Sequence, residues 1–269
     1  MTSSVHEHLR VAMVQGDTLW HDPQGNRDYY AELMKPLRGK ADIVVLPETF
    51  TSGFSNEAID QAETDGGPTL EWLKAQAQLL DAAITGSVQV RADSGVFNRM
   101  YFVTPQGEVS RYDKRHLFRF AKEHERYAAG SDRVVVSYRG WNVLLQVCYD
   151  LRFPVFSRNV LINGQPEYDL AIYVANWPQV RRYPWVQLAK ARAIENLAYV
   201  AAVNRVGQDG NGHDYSGDSA LYDFKGMPVA QTTEFLEQVV IGTASMDALQ
   251  AFRAQFPALM DGDSFSLTP

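Results

Sequence analysis

The chain has 269 residues, 45% hydrophobic and 21% charged, an ordinary globular composition that leaves apolar side chains for a large core. Its formal net charge of −7 argues against a phosphate-backbone binder, and its single cysteine, Cys148, excludes an intrachain disulfide and a Cys-rich zinc site. MTSSVHEHLR has no apolar signal segment and no window reaches the about 18 apolar residues of a membrane span, so the expectation is a cytoplasmic protein without membrane or nucleic-acid partners.

Strand-like and helix-like segments alternate along the chain. Leu9 to Val14 is a short β-type run. Asn26 to Lys35 follows with helical spacing, with Tyr30, Leu33 and Met34 on one face and Pro36 at the end. Asp42 to Leu46 is a mostly apolar strand stopped by Pro47, and Thr51 to Gly67 reads as a loop beside a site. A second amphipathic helix spans Leu70 to Leu80, entered through Gly67-Pro68-Thr69 with Thr69 as the expected N-cap. Ala83 to Gln89 and Val96 to Thr104 are strands, and Glu108 to Tyr112 returns as a hairpin partner after the turn Pro105-Gln106-Gly107.

Arg133 to Tyr138 and Trp141 to Val147 are strands joined at Arg139-Gly140. Phe153 to Asn163 is expected to be a helix ending at Gly164, followed by the buried strand Leu170 to Ala175 and the helix Pro184 to Leu197. Tyr199 to Asn204, Asp218 to Tyr222 and Val239 to Thr243 complete the strands, and the tail after about Phe256 carries little pattern. Continuous apolar strands such as Ile43 to Leu46 suit a sheet covered on both faces, and the hairpins imply sheets that are not purely parallel. No linker divides the chain, so residues 1–269 read as one α/β domain.

Three ionisable residues stand where strands end: Glu48, Lys114 and Cys148. Sites in α/β folds gather at such ends, where loops vary over a rigid frame. A free cysteine is commonly an inert core residue, and a thiol becomes a nucleophile near neutral pH only with a cation or a base beside it. Lys114 offers the cation and Glu48 the base. A desolvated carboxylate has a raised pKa and shuttles protons near pH 7. His116 and His213 keep a Cys–His arrangement open, while His124 lies among charges and His6, His8 and His21 near the N-terminal arm or an early loop. No metal-ligand spacing, G-x-S-x-G elbow or P-loop is present, and Gly207-x-x-Gly210-x-Gly212 does not open an apolar helix, so neither a metal nor another cofactor is expected.

These residues resemble the nitrilase superfamily of carbon–nitrogen hydrolases, whose glutamate, lysine and cysteine match LPETF (Glu48), YDKRHLF (Lys114) and LLQVCYDLRFP (Cys148). KRHLF, CYDLRFP, VANWP and ARAIENLAYV are similar to the bacterial omega-amidases, which cleave the terminal amide of short 2-oxo acid amides. The resemblance implies a four-layer α-β-β-α sandwich and homo-oligomers, dimers or larger, formed through a helix near the cysteine and the C-terminal segment. It also implies a second glutamate, Glu123 with Glu125 as competitor, that orients Lys114 and the substrate amide. The Tyr149 N–H is expected to help hold an oxyanion. A substrate carboxylate needs a cation: Arg152 is the first candidate, unless it pairs with Asp150, and Arg119 the next. Phe118, Trp177 and Phe153 are candidate pocket walls, with Asn176 on the same sheet edge as Cys148.

Overall fold

The computed structural model of the chain describes residues 6–267. Its first sheet runs Gln238–Ser245, His8–Gln15, Ile43–Val45, Ala83–Ala92, Gly95–Val103, Val109–Asp113 in spatial order, with the short strand Glu63–Thr64 alongside Ala83–Ala92. The second runs Pro228–Gln231, Ala220–Tyr222, Tyr199–Asn204, Leu170–Ala175, Trp141–Val147, Val135–Tyr138. The middle strands of both sheets are parallel, with registers such as Val11↔Ile43 and Ile43↔Ala83 in the first and Leu170↔Tyr199 and Leu170↔Val143 in the second. Hairpin strands flank them antiparallel.

Strand alternation sorts the side chains into layers. Val11 and Met13 of His8–Gln15 join Ile43, Val45, Leu145 and Ile172 in a core between the sheets, while Ala12 and Val14 face Tyr30, Met34, Leu73 and Ala77 of two helices, Pro23–Met34 and Pro68–Leu80. The helix Arg182–Asn196 contributes Trp185, Ala189 and Ala193 on the side of the second sheet. The architecture is a four-layer α-β-β-α sandwich, as the resemblance implies.

Several elements depart from the sequence expectations. The first helix starts at Pro23, because Asp22 caps it through the Gly25 N–H at 2.9 Å, and Pro36 sits inside a 3₁₀ turn, Lys35–Leu37, that prolongs it. The second helix is capped at Gly67, not Thr69, whose N–H and hydroxyl both donate to the Glu63 carboxylate at 2.7 and 2.6 Å. Thr51 to Gly67 holds the 3₁₀ turn Glu57–Gln61 and the strand Glu63–Thr64.

The expected helix Phe153 to Asn163 lasts a single turn, Pro154–Ser157. Its remainder forms a hairpin, Leu161–Ile162 with Gln165–Pro166, around Asn163 and Gly164 at φ 52° and 77°. Two successive left-handed residues are what an Asn-Gly hairpin turn requires, and that local signal overrides the helical apolar spacing. Asp218 to Tyr222 shortens to Ala220–Tyr222 because Gly217 and Asp218 turn at positive φ. The helix Met246–Gln255, opened by Ser245 accepting from the Ala248 N–H at 3.2 Å, and the strand Pro228–Gln231 have no counterpart in the sequence reading.

Candidate active site

Glu48, Lys114, Glu123 and Cys148 come together. Glu48 leaves the strand Ile43–Val45 through Leu46-Pro47 and is wholly buried. Its Oε1 accepts from Lys114 Nζ at 2.9 Å and Asn98 Nδ2 at 2.8 Å, and its Oε2 from the Asn176 N–H at 2.8 Å. The Asn176 side-chain amide donates to the Glu48 carbonyl and to Thr49 Oγ1, which locks the turn that carries the carboxylate.

Lys114 follows the strand Val109–Asp113, and its ammonium is 1% exposed. Besides Glu48 it donates to both oxygens of Glu123, at 3.1 and 3.0 Å, and lies 5.2 Å from the centre of the Phe54 ring. Glu123 also accepts from the Phe118 N–H at 2.6 Å. Glu125 is exposed, so of the two glutamates it is Glu123 that meets Lys114. Asn98, absent from the sequence reading, carries no motif of its own. It binds Glu48 with its side chain while its carbonyl accepts from the Lys114 N–H at 2.9 Å.

Cys148 ends the strand Trp141–Val147 and begins a 3₁₀ turn, Cys148–Arg152, at φ 44°. Its Sγ lies 3.9 Å from the Asn176 carbonyl, within the electrostatic reach of Glu48 and Lys114. Burial and the Glu48 charge push the thiol well above its usual range, and the opposing pull of Lys114 does not restore it. Burial alone would lower Lys114, but Glu123 and Glu48 outweigh it and hold the ammonium protonated well above the lysine range. Glu123 is raised, first by burial and also by Glu48, with Lys114 pulling the other way.

These groups open onto a cavity of about 320 Å³ lined by Phe54, Phe118, Phe120, Tyr149 and Trp177 among others. Arg152 lines it with its guanidinium 4.9 Å from the Trp177 ring centre. It makes no ion pair with Asp150, whose oxygens serve Tyr112, Val147 and His116. Two expectations are corrected. Arg119 is exposed and does not line the cavity, and Phe153 stacks on His116, at 3.8 Å, rather than walling the pocket.

Other lining residues escaped the sequence reading. Arg181 lies over Phe118 and Phe120 at 5.4 and 5.8 Å. Asp209, Asn211 and Tyr215 come from the hairpin Val206–Gln208 with Asp214–Ser216, whose glycines were the only local signal. His213 lines the cavity from an exposed position on that loop, while His116 is held by Asp150. Among the described residues no group of three or more His, Cys, Asp or Glu is placed to hold a metal ion, and no helix is long and apolar enough to cross a membrane.

The chain is 46% identical over 261 residues to Omega-amidase YafV of Yersinia enterocolitica, covering 96% of this chain and 98% of that protein. It is 33% identical to the 2-oxoglutaramate amidase of Bacillus subtilis, covering 82% and 85%. The crystal structure of XC1258 from Xanthomonas campestris, described as a CN-hydrolase superfamily protein with an arsenic adduct in its active site, matches at a TM-score of 0.96 and 58% identity, covering 98% and 100%. Nit3 of Saccharomyces cerevisiae, a nitrilase-superfamily member, shares the fold at a TM-score of 0.82 and 21% identity, covering 94% and 96%. The family model described as carbon-nitrogen hydrolase matches residues 10–254, and the chain belongs to that family.

Proposed function

We propose that the chain is an omega-amidase, which hydrolyses the terminal amide of short 2-oxo dicarboxylic acid monoamides such as 2-oxoglutaramate and 2-oxosuccinamate to the acid and ammonia. The observation that carries this reading is a buried thiol, carboxylate and ammonium on one cavity whose wall also presents the Arg152 guanidinium. The names of its relatives, an omega-amidase at 46% identity and a 2-oxoglutaramate amidase at 33%, support it.

In this reading Cys148 Sγ bonds to the amide carbon while its proton passes to Glu48. The raised thiol pKa favours transfer during attack over a standing thiolate. The oxyanion is met by Lys114 Nζ and the Tyr149 N–H. That amide lies in the first turn of the Cys148–Arg152 segment, where N–H groups lack intrahelical partners. Collapse breaks the C–N bond, Glu48 protonates the leaving nitrogen, and ammonia departs from a thioester. Glu48 then takes a proton from water as it attacks, the C–S bond breaks, and the proton returns to the thiol. Glu123 holds Lys114 in place. Arg152 takes the substrate carboxylate, with Phe118, Trp177 and Asn176 bounding the substrate.

The same proposal takes residues 1–269 as one cytoplasmic domain, supported by a core shared between the two sheets. It also takes the chain to self-associate, supported by exposed Phe256 and Met260 in the C-terminal segment. Light scattering measures the latter. The deciding assay is ammonia release from 2-oxoglutaramate and 2-oxosuccinamate, against an aliphatic amide, a nitrile and an N-carbamoyl amino acid, with Cys148→Ala as blank. No turnover of the oxo-acid amides, with turnover of another member of the panel, assigns the chain to a different branch of its family.

A further inference from the structure

Asp150 takes no part in the chemistry above, yet it is wholly buried and its two oxygens accept from four groups. Oδ2 accepts from the Tyr112 hydroxyl at 2.7 Å and the Val147 N–H at 2.9 Å. Oδ1 accepts from the His116 N–H at 3.0 Å and from His116 Nδ1 at 2.7 Å. A carboxylate only accepts, so Nδ1 bears the proton. The Tyr112 hydroxyl in turn accepts from the Arg115 N–H at 3.2 Å, and the His116 ring is fixed against Phe153 at 3.8 Å, nearly parallel.

The positions of these donors carry the argument. Tyr112, Arg115 and His116 bracket Lys114 on both sides, and Val147 immediately precedes Cys148. Lys114 follows a strand of the first sheet and Cys148 ends a strand of the second, so no shared sheet fixes their separation. We propose that Asp150 is a positioning residue for the reaction, its single carboxylate holding the Lys114 segment and the Cys148 turn in register. This rests on the roles given above to Lys114 and Cys148. An isosteric amide cannot replace the carboxylate, because it presents one acceptor and one donor where four donors converge. Either the Val147 N–H or the His116 N–H then faces an NH₂ group.

The test is Asp150→Asn, assayed beside the parent for ammonia release, with folding checked by circular dichroism and thermal unfolding. The expected result is a folded protein whose kcat is about 10²-fold lower, as a misplacement of about 1 Å produces, with KM within about threefold. Tyr112→Phe, which removes one of the four donors and keeps the ring, is expected to lower kcat about tenfold at unchanged KM. A folded Asp150→Asn that melts earlier but keeps kcat within about threefold overturns the proposal, because the carboxylate is then structural only. Should Asp150→Asn not fold, Tyr112→Phe decides, and an unchanged kcat overturns it. Failure of the functional reading is distinguishable, since it appears in the parent as no ammonia from either oxo-acid amide. The positioning test is then read on whichever amide the parent does cleave.

Discussion

The Asn176 N–H donates to Glu48 Oε2 at 2.8 Å and so joins the end of a strand in one sheet to the turn after a strand in the other. Asn98 and Lys114 supply two more donors to the same carboxylate from the first sheet side. The site is therefore assembled across the seam between the sheets, with Glu48 as the group both sides hold.

Replacing Glu48 by Gln is expected to lower kcat by at least about 10²-fold, the scale of a lost general base. The thiol should respond in the opposite sense. The Glu48 charge helps burial raise the Cys148 pKa, so its loss moves the midpoint of iodoacetamide alkylation to lower pH. A midpoint that rises would contradict the proposed pairing.

Lys114→Arg should not be conservative. The ammonium is enclosed by Glu48, Glu123 and the Phe54 ring, and a planar fork does not occupy the place of a compact charge there. We expect a loss of about 10²-fold or more in kcat, the scale of one oxyanion donor. Retention of most of the rate would show that the assigned role is wrong.

Glu123 and Glu125 should separate cleanly. Glu123→Gln weakens the grip on Lys114 and is expected to lower kcat about tenfold, since its carboxylate binds Lys114 and the Phe118 N–H. Glu125→Gln alters an exposed side chain and should leave steady-state kinetics unchanged.

Arg152→Ala should raise KM for 2-oxoglutaramate about tenfold or more, as loss of a charge-assisted contact does, and affect an uncharged amide far less. Arg119→Ala, outside the cavity, serves as the control. Equal effects on charged and uncharged substrates would remove Arg152 from carboxylate recognition.

Away from the site, Asp42 is a buried carboxylate shared by Arg10, at 2.7 to 3.1 Å, and Arg139. Asp42→Ala is expected to cost about 2 kcal/mol in urea unfolding at neutral pH, the scale of charge-assisted hydrogen bonds to partly exposed partners. Burial opposes ionisation, but the Arg10 bonds prevail and hold the carboxyl below its ordinary value. The stabilisation is thus present above the unfolded pKa of about 3.9 and lost as pH falls through the folded one. The stability difference between the parent and Asp42→Ala should begin to narrow below about pH 4 and close only once pH is below the folded pKa.

What the sequence revealed depended on how local the cause was. The strands Trp141–Val147 and Leu170–Ala175 were legible because burial on both faces leaves an apolar run. Glu48, Lys114 and Cys148 were legible as strand-end residues, and the family resemblance made their grouping explicit. Asn98 was not, because an asparagine inside a strand announces nothing until its partner two strands away in the same sheet is known. The hairpin at Asn163-Gly164 departs from the expected helix for a different reason, since a glycine after a run of residues marks a helix end and a two-residue hairpin turn alike. Arg181 and the Asp209 to Tyr215 wall were missed because they reach the cavity from chain segments far from the three motifs.

The enclosure around Lys114 sets two carboxyl groups, Glu48 and Glu123, against one ammonium. An amide group is neutral and enters it without opposition. The acid formed by hydrolysis is ionised near neutral pH, and at about 4 Å each unit pair of like charges costs about 4 kcal/mol at the effective dielectric of a protein surface. The cage thus discriminates between what it consumes and what it makes. Release of the acid is favoured, and resynthesis of the amide from acid and ammonia is opposed at the same place.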